Sequence, residues 1–347
     1  VDRRTLDTYE RVGATYSSRS NWFDRAAALV EGIDGPRADL GCGPGEYASV
    51  LGRPLLALDG AMAMLRRVQS DAWRVQADLE ALPLRTGSLQ AAWASKTYQH
   101  LVATRLPLAL ADLHRSLAVD AAVELTVFGG EGVTRLDDHR LFSHWRPEQL
   151  VDLLIGAGFD DVEIATTPSR DEWPHLQVRA RRARTLADTV GPDVRVLVCG
   201  LNPSVYAADA GHGFARRANR FWPAAVAAGL TGHPQDPRRA LLEDGMGMTD
   251  LVKRPSSGAD VLTAEEYASG LARVERLAAW LRPAVVCFIG LAGWRSAVDR
   301  RASAGLQERT LGGRPVYLCP STSGRNASSQ LPQLVAHLEA VAALAAG

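Results

Sequence analysis

Short apolar runs alternate with longer amphipathic ones along almost the whole chain. Residues 21–33, NWFDRAAALVEGI, predict a helix, and RADLGCGPGEYASVL from position 37 predicts a strand, a glycine-rich turn and the start of a helix. PLLALD, the helical AMAMLRRV, the strand-like RVQAD, the apolar LQAAWAS, the helical PLALADLHRSL and the strand AVELTVFG follow. Such alternation is the pattern of a parallel sheet covered by helices on both faces. After the helix RPEQLVDLLIGAGF, the alternating runs DVEIATT and HLQVRARR are expected to close the same sheet. The pattern then restarts: VRVLVCGLNP reads as strand into loop, and FWPAAVAAGL and YASGLARVERLAAWL as helices. PAVVCFIG and PVYLCP read as buried strands, and LPQLVAHLEAVAALAA as a last helix.

The restart makes two α/β domains the expectation, a Rossmann-like sheet followed by a smaller α/β/α domain. At 347 residues the chain exceeds the roughly 100–200 of one domain. The boundary is expected in the Arg-rich RARRARTLADTVGPD at residues 181–193, which assigns 1–183 to the first domain and 184–347 to the second.

With 46% hydrophobic and 22% charged residues, the composition is that of an ordinary soluble protein. No apolar run reaches the ~18 residues of a membrane helix, and the opening VDRRTLDTYERVG has no apolar signal region, so a cytoplasmic protein is expected. Cys42, Cys199, Cys287 and Cys319 are scattered, three of them inside apolar runs. They read as buried thiols, and no metal is implied. Net charge is zero, but residues 1–184 carry 22 Lys plus Arg against 25 Asp plus Glu, and the remainder 17 against 14. The second half is mildly basic, and Arg216, Arg217 and Arg220 cluster within one loop.

DLGCGPG places Gly41, Gly43 and Gly45 between a strand and a helix, where backbone approaches a ligand closely and the helix offers unpaired N–H groups. Asp59 ends the next strand, positioned for ribose hydroxyls, and Asp78 ends the third. With both carboxylates in sequence, this stretch resembles the class I S-adenosylmethionine-dependent methyltransferases, over roughly residues 5–183. The resemblance implies S-adenosylmethionine as cofactor. Gly41, Cys42, Gly43 and Gly45 would lie against its methionine portion, Asp59 would hold the ribose, Asp78 would contact the adenine, and Asp39 would belong to the same cofactor site. WASKTYQHL, after the fourth strand, lacks an Asn-Pro-Pro-Tyr-like element for amino methylation of bases. No Pro-Cys nucleophile is present either. Tyr98 and His100 are candidates to line an acceptor pocket, and the acceptor is left open.

In the second half, GLNPSVYAADAGHGFARRANRFW follows one buried strand and PSTSGRNA another, so the two loops should form a crevice at the carboxyl ends of parallel strands. GLNPS, ANRFW, DLVKRP and PSTSGRNA, in that order, resemble the mismatch-specific uracil/thymine-DNA glycosylases of the uracil-DNA glycosylase superfamily, over roughly residues 193–345. The resemblance implies a uracil-DNA glycosylase-like domain acting on double-stranded DNA with a G·U or G·T mismatch. Asn202 would orient the attacking water. Gly200, Leu201, Pro203, Ser204, Ala207, Phe214 and Asn219 would form the base pocket, with Phe214 as its stacking face. Pro320, Ser321, Thr322, Ser323, Gly324, Arg325 and Asn326 would form the loop that enters the duplex, Arg325 as the wedge and the hydroxyls on flanking phosphates.

An amide is a poor proton acceptor, so a slow hydrolase is expected. Neither loop carries a Lys to form a Schiff base, so the enzyme is expected to be monofunctional and to need no cofactor for this step. Ser204 stands where the family has a second glycine and would narrow the pocket, whereas the small Ala207 leaves room for the methyl of thymine. Two alternatives stay open: a methyltransferase whose second domain is a non-catalytic mismatch-binding module, and a mismatch-binding protein with no activity.

Overall fold

The computed structural model describes residues 2–17, 22–169 and 172–346, so Asn21 of the first predicted helix lies outside the described residues. The chain forms two compact units, Val1–Ile155 with Phe159–Ala183 and Gly156–Gly158 with Arg184–Gly347.

The first unit carries the strands β1 (Arg37–Leu40), β2 (Leu55–Asp59), β3 (Trp73–Gln76), β4 (Leu89–Ser95), β5 (Leu117–Phe128), β6 (Val133–Arg135), β7 (Leu141–Ser143), β8 (Phe159–Thr167) and β9 (His175–Arg182). Seven of them form one sheet in the order β3-β2-β1-β4-β5-β9-β8, and β6 pairs with β7 alone. The central strands RADL and LQAAWAS are buried along almost their whole length, as a strand covered on both faces requires. The sheet is not parallel throughout, since β9 runs antiparallel to both β5 and β8. Its alternation explains how it fits there. Leu176, Val178 and Ala180 are buried, while Arg179 on the other face pairs with Glu124 of β5 at 2.8 Å.

One α-helix of this unit escapes the apolar pattern. Arg3–Val12 is helical although mostly polar; Asp2 caps its N-terminus by accepting from the Thr5 N–H at 3.0 Å.

The second unit carries β10 (Val196–Gly200), β11 (Met246–Asp250), β12 (Val285–Ile289), β13 (Gly305–Leu306) and β14 (Val316–Cys319), in the order β11-β10-β12-β14-β13. Only β13 is antiparallel. Val196, Val198, Cys287, Ile289 and Cys319 pack on Phe221 and Trp222 of the helix Phe221–Ala227 and on Leu334, Leu338 and Val341 of the helix Leu331–Ala346. The helix Ala264–Leu281 starts from a capping box in which Thr263 and Glu266 satisfy each other's backbone N–H groups. The four cysteines are buried free thiols. Among the described residues no helix is long and apolar enough to cross a membrane, and no cluster of three metal-ligating side chains occurs.

Candidate functional site

In the first unit the carboxyl ends of β1, β2 and β4 open onto a cavity of about 520 Å³. Gly41 leads β1 into it at φ +66°, and a Cβ there would stand 2.2 Å from the Thr97 side chain, so only glycine lets the loop pass. Gly43, at φ +54°, has nothing within 4 Å of where its Cβ would be, which leaves its backbone open.

Asp59 is anchored by two N–H donors, Gly43 at 2.9 Å and Ala61 at 2.8 Å, which fixes its carboxylate at the cavity wall and leaves further lone pairs there. Burial raises its pKa, against those two hydrogen bonds. Asp39 lies on the same wall, 2% exposed, with Oδ2 buried and unpartnered. Burial pushes its pKa up to about 8, with the charges of Asp59 and Glu46 adding to the effect. An unpaired buried acid facing a cavity calls for a cationic partner. The ammonium and sulfonium of S-adenosylmethionine meet that demand, and the open glycine backbone and Asp59 fit its remaining parts.

Not every expected residue reaches this cavity. Ala77 and Leu79 line it, but Asp78 is exposed, and its carboxylate accepts from the Glu80 N–H at 3.0 Å within a turn. The turn claims the side chain because an aspartate two residues before a free N–H closes a local ring more readily than it reaches inward. Cys42 is buried, and its thiol pKa is raised by burial and by Asp39 and Asp59, so no nucleophilic thiolate is available. Tyr98 is core, 1% exposed and off the cavity wall.

His100 does line the cavity. Its Nδ1 meets the Leu141 carbonyl at 2.8 Å and so carries the proton; Nε2 then accepts from the Tyr9 hydroxyl at 2.9 Å. Burial lowers its pKa to about 4, so at neutral pH the ring is uncharged and positions Tyr9. Tyr9 belongs to the helix that the sequence pattern missed.

In the second unit β10 ends at Gly200 and releases the loop that carries Asn202. The Asn202 amide nitrogen donates to the Arg254 carbonyl at 3.0 Å, to Ser256 Oγ at 2.8 Å and to the Pro203 carbonyl at 3.3 Å. These contacts use the donor side of the amide and fix its orientation, leaving Oδ1 as acceptor. Phe214 holds φ +57° and stacks on Phe221 with centroids 4.2 Å apart. Its ring approaches Gly200, where a Cβ would lie 3.7 Å from Cζ.

The second loop follows β14 and is held by one side chain. Arg220 donates to the carbonyls of Ser329 at 2.6 Å, Ser323 at 2.8 Å and Asn326 at 2.6 Å, while its own N–H meets the Thr322 carbonyl at 2.9 Å. A Cβ on Gly324 would stand 2.8 Å from the Ala218 carbonyl, so the two loops are in contact. Arg325 is exposed at the tip, and its guanidinium has no acceptor among the described residues. Arg216 lies over the exposed Tyr206 ring, 5.3 Å from its centroid.

Several expected pocket and phosphate residues are used locally instead. The Ser204 hydroxyl accepts from the Ala207 N–H at 3.1 Å and caps the helix Val205–Ala210, so it turns towards its own helix. Ala207 packs in a buried cluster with Leu186 and Ala215. Leu201 lies beside Gly293, and Pro203 is buried with its carbonyl accepting from the Ser256 N–H at 3.1 Å. Asn219 Oδ1 accepts from the Phe221 N–H at 2.9 Å. Thr322 is 1% exposed with its hydroxyl buried, so it points inward and away from any phosphate. Asn326 ties the loop together through the Ser321 carbonyl at 2.8 Å and Ser328 Oγ at 2.7 Å. Asp250, at the end of β11 beside Gly200, was not singled out from the sequence; its only signal there was its place at the head of DLVKRP.

Two loops meeting at the carboxyl edge of a parallel sheet, and a glycine turn with paired acids at the edge of another, define two α/β ligand-binding units. Residues 187–345 match the family model of the uracil DNA glycosylase superfamily, and residues 38–123 match a methyltransferase domain. Among solved structures, the chain is similar to the 1,6-didemethyltoxoflavin-N1-methyltransferase of Burkholderia thailandensis. The identity is 19% over 51% of this chain and 85% of that one, with a TM-score of 0.44. An S-adenosylmethionine-dependent methyltransferase from Mesorhizobium loti is 18% identical over 47% of this chain and 99% of that one, with a TM-score of 0.39. The methyltransferase domain, with the acid-lined cavity described above, takes S-adenosylmethionine as its cofactor. Asp59→Ala is expected to weaken S-adenosylmethionine binding to the full chain by roughly 10- to 100-fold, the scale of a lost charged hydrogen-bond pair. Calorimetric titration with the cofactor measures it, and an unchanged affinity would remove Asp59 from the site.

Proposed function

We propose that residues 184–347 excise uracil mispaired with guanine in duplex DNA, and that residues 1–183 form a methyl-transfer module with a separate acceptor. The observation that carries the first part is the fixed amide of Asn202, whose donors are all engaged by protein and whose Oδ1 remains for a water. Base excision needs an extruded nucleotide, a surface to hold the base, and a water aimed at the sugar. Phe214 offers the surface beside Gly200, and Asn202 aims the water. Water adds its oxygen to the sugar carbon, the glycosidic bond breaks with its electron pair leaving on the base, and solvent takes one proton and returns one to the base.

No carboxylate stands at the Asn202 position, so the rate comes mainly from orienting water and stabilising the departing anion. Lys253 is the lysine nearest in sequence to these loops. Its ammonium is 11% exposed and bonded to Asp188 at 2.8 Å, which supports hydrolysis without a Schiff base. Thymine is a second candidate base.

The test is a duplex with one G·U pair, incubated with the full chain and then treated with alkali; strand cleavage at the uracil is expected. Binding without cleavage would instead support the non-catalytic mismatch-binding alternative. Arg325→Ala, assayed in the same way, should slow excision most in duplex and least in single strands, because only the duplex requires a wedge to offset unstacking. Equal slowing of both substrates would assign the wedge elsewhere in the loop.

A further inference from the structure

Part of the cavity wall in the first unit is aromatic rather than acidic. Phe128 ends β5, Phe142 lies on β7 and Trp173 precedes β9, and all three line the cavity. The Phe142 ring centroid stands 5.9 Å from that of Trp173, with the planes 28° apart, and 5.6 Å from that of Phe128. Phe128 and Phe142 are buried and Trp173 is half-buried. A wall of such rings takes a flat guest along its faces.

The same rings do not suit a cationic guest. The Arg140 guanidinium lies over Phe142 and Tyr9, 5.6 and 5.8 Å from their centroids, while its Nε donates to Asp138 at 2.8 Å. Those faces are therefore taken by a cation already, and an ammonium would meet a like charge. Glu172, beside Trp173, also lines the cavity, but it is exposed and screened by solvent.

Gln99 lines this cavity too. It is 2% exposed, its Oε1 is buried without a partner, and its amide makes no hydrogen bond among the described residues. A buried amide left unpaired costs stability unless a ligand uses it. It presents a carbonyl acceptor beside N–H donors. The next residue, His100, offers neither, since its two ring nitrogens are engaged by the Leu141 carbonyl and the Tyr9 hydroxyl.

We propose that the methyl acceptor of the first unit is a planar nitrogen heterocycle with a lactam edge, stacked against the Phe142 and Trp173 wall and paired edge to edge with the Gln99 amide. The proposal rests on the methyl-transfer reading of residues 1–183. The lactam N–H donates to Oε1 and the lactam carbonyl accepts from Nε2, which satisfies both halves of the amide. Transfer forms a carbon–nitrogen bond at a ring nitrogen other than the one paired with Gln99. It breaks the sulfonium carbon–sulfur bond, whose electron pair stays on sulfur. Any proton displaced from that nitrogen goes to solvent, because His100 and Tyr9 already hold each other.

The experiment titrates the full chain by calorimetry at pH 7, first with S-adenosylhomocysteine and then, once saturated, with three probes. These are lumazine, a flat bicycle with lactam edges; quinoxaline, a flat bicycle without one; and ethanolamine. Lumazine should bind roughly ten- to thirtyfold tighter than quinoxaline, the scale of two added hydrogen bonds. Ethanolamine should bind more weakly than either. Gln99→Leu, which keeps the shape and deletes both bonds, should bring the lumazine-to-quinoxaline ratio to within about threefold of one. With S-adenosylmethionine in place of its product, mass spectrometry should show lumazine gaining one methyl group.

A parent ratio near one, a ratio unchanged in Gln99→Leu, ethanolamine binding tighter than lumazine, or bound lumazine that gains no methyl group would each overturn the proposal. If S-adenosylhomocysteine binds and lumazine does not, the proposal falls while the methyl-transfer reading stands. If S-adenosylhomocysteine does not bind, both fall. Should Gln99→Leu fail to fold, Gln99→Met, which keeps the length of the side chain without its hydrogen bonds, decides in its place.

Discussion

Asn202→Ala is expected to lower single-turnover excision of uracil from a G·U duplex by roughly a hundredfold, the usual loss when one positioning group is removed from a hydrolytic site. Duplex affinity should change by no more than about threefold, because in the proposed function the amide acts on a water and not on the phosphates. The structure sharpens the reason. The amide nitrogen is anchored to the Arg254 carbonyl and Ser256 Oγ, on the segment that follows β11, so Oδ1 is held in place before any substrate arrives. Alanine removes the acceptor and also leaves those two groups without their donor. Rates within threefold of the parent, measured with quenched time points, would show that the water is oriented by something else.

The second large effect concerns Asp188. Its carboxylate joins Lys253, Arg273 and Thr249, and it is 5% exposed with both cations nearly as buried. Asp188→Ala would strand two buried cations, and removing one partner of a buried pair costs about 3–5 kcal/mol. Urea unfolding read by tryptophan fluorescence should show the loss in the second unit, and a loss below about 1 kcal/mol would mean that the cations find other partners.

Burial alone would raise the Asp188 pKa, but Arg273 and Lys253 outweigh it and hold the group below its ordinary 3.8. A lowered folded-state pKa gives stability that is fully present above the unfolded value. It is lost as pH falls through the folded one. The acid limb of the stability curve should therefore lie below pH 3.8 for this group and disappear in Asp188→Ala.

Where sequence and structure agree, one physical signal was strong enough to decide. RADL and VVCFI are uninterrupted buried runs, and the turn DLGCGPG places glycines where only glycine fits, as Gly41 against Thr97 shows. GLNPS and PSTSGRNA each follow a buried strand, and parallel strands place both loops at one edge. The strand Met246–Asp250 was not visible, because MGMTD mixes glycine and methionine and has little β propensity of its own; it is a strand because β10 pairs with it. Asp250 was lost with it. Asp78, Ser204 and Thr322 illustrate a different limit. Short polar side chains satisfy nearby backbone or turn inward, and sequence position does not tell which. Arg220 was read as one of three clustered arginines, but only tertiary structure shows that it grips carbonyls 103 and 106 positions away.

That grip has a consequence for engineering. Arg220 recognises the second loop by the carbonyls of Thr322, Ser323, Asn326 and Ser329, and by no side chain of that loop. The clamp is therefore indifferent to what the loop displays at its tip, as long as the spacing of those carbonyls is kept. A graft that keeps Gly324, where a Cβ would stand 2.8 Å from the Ala218 carbonyl, and rewrites Arg325, Ala327 and Ser328 wholesale leaves the mounting untouched. The tip is an interchangeable tool on a fixed handle, and under the proposed function selection acting on it changes which lesions are probed without remaking the domain that holds it.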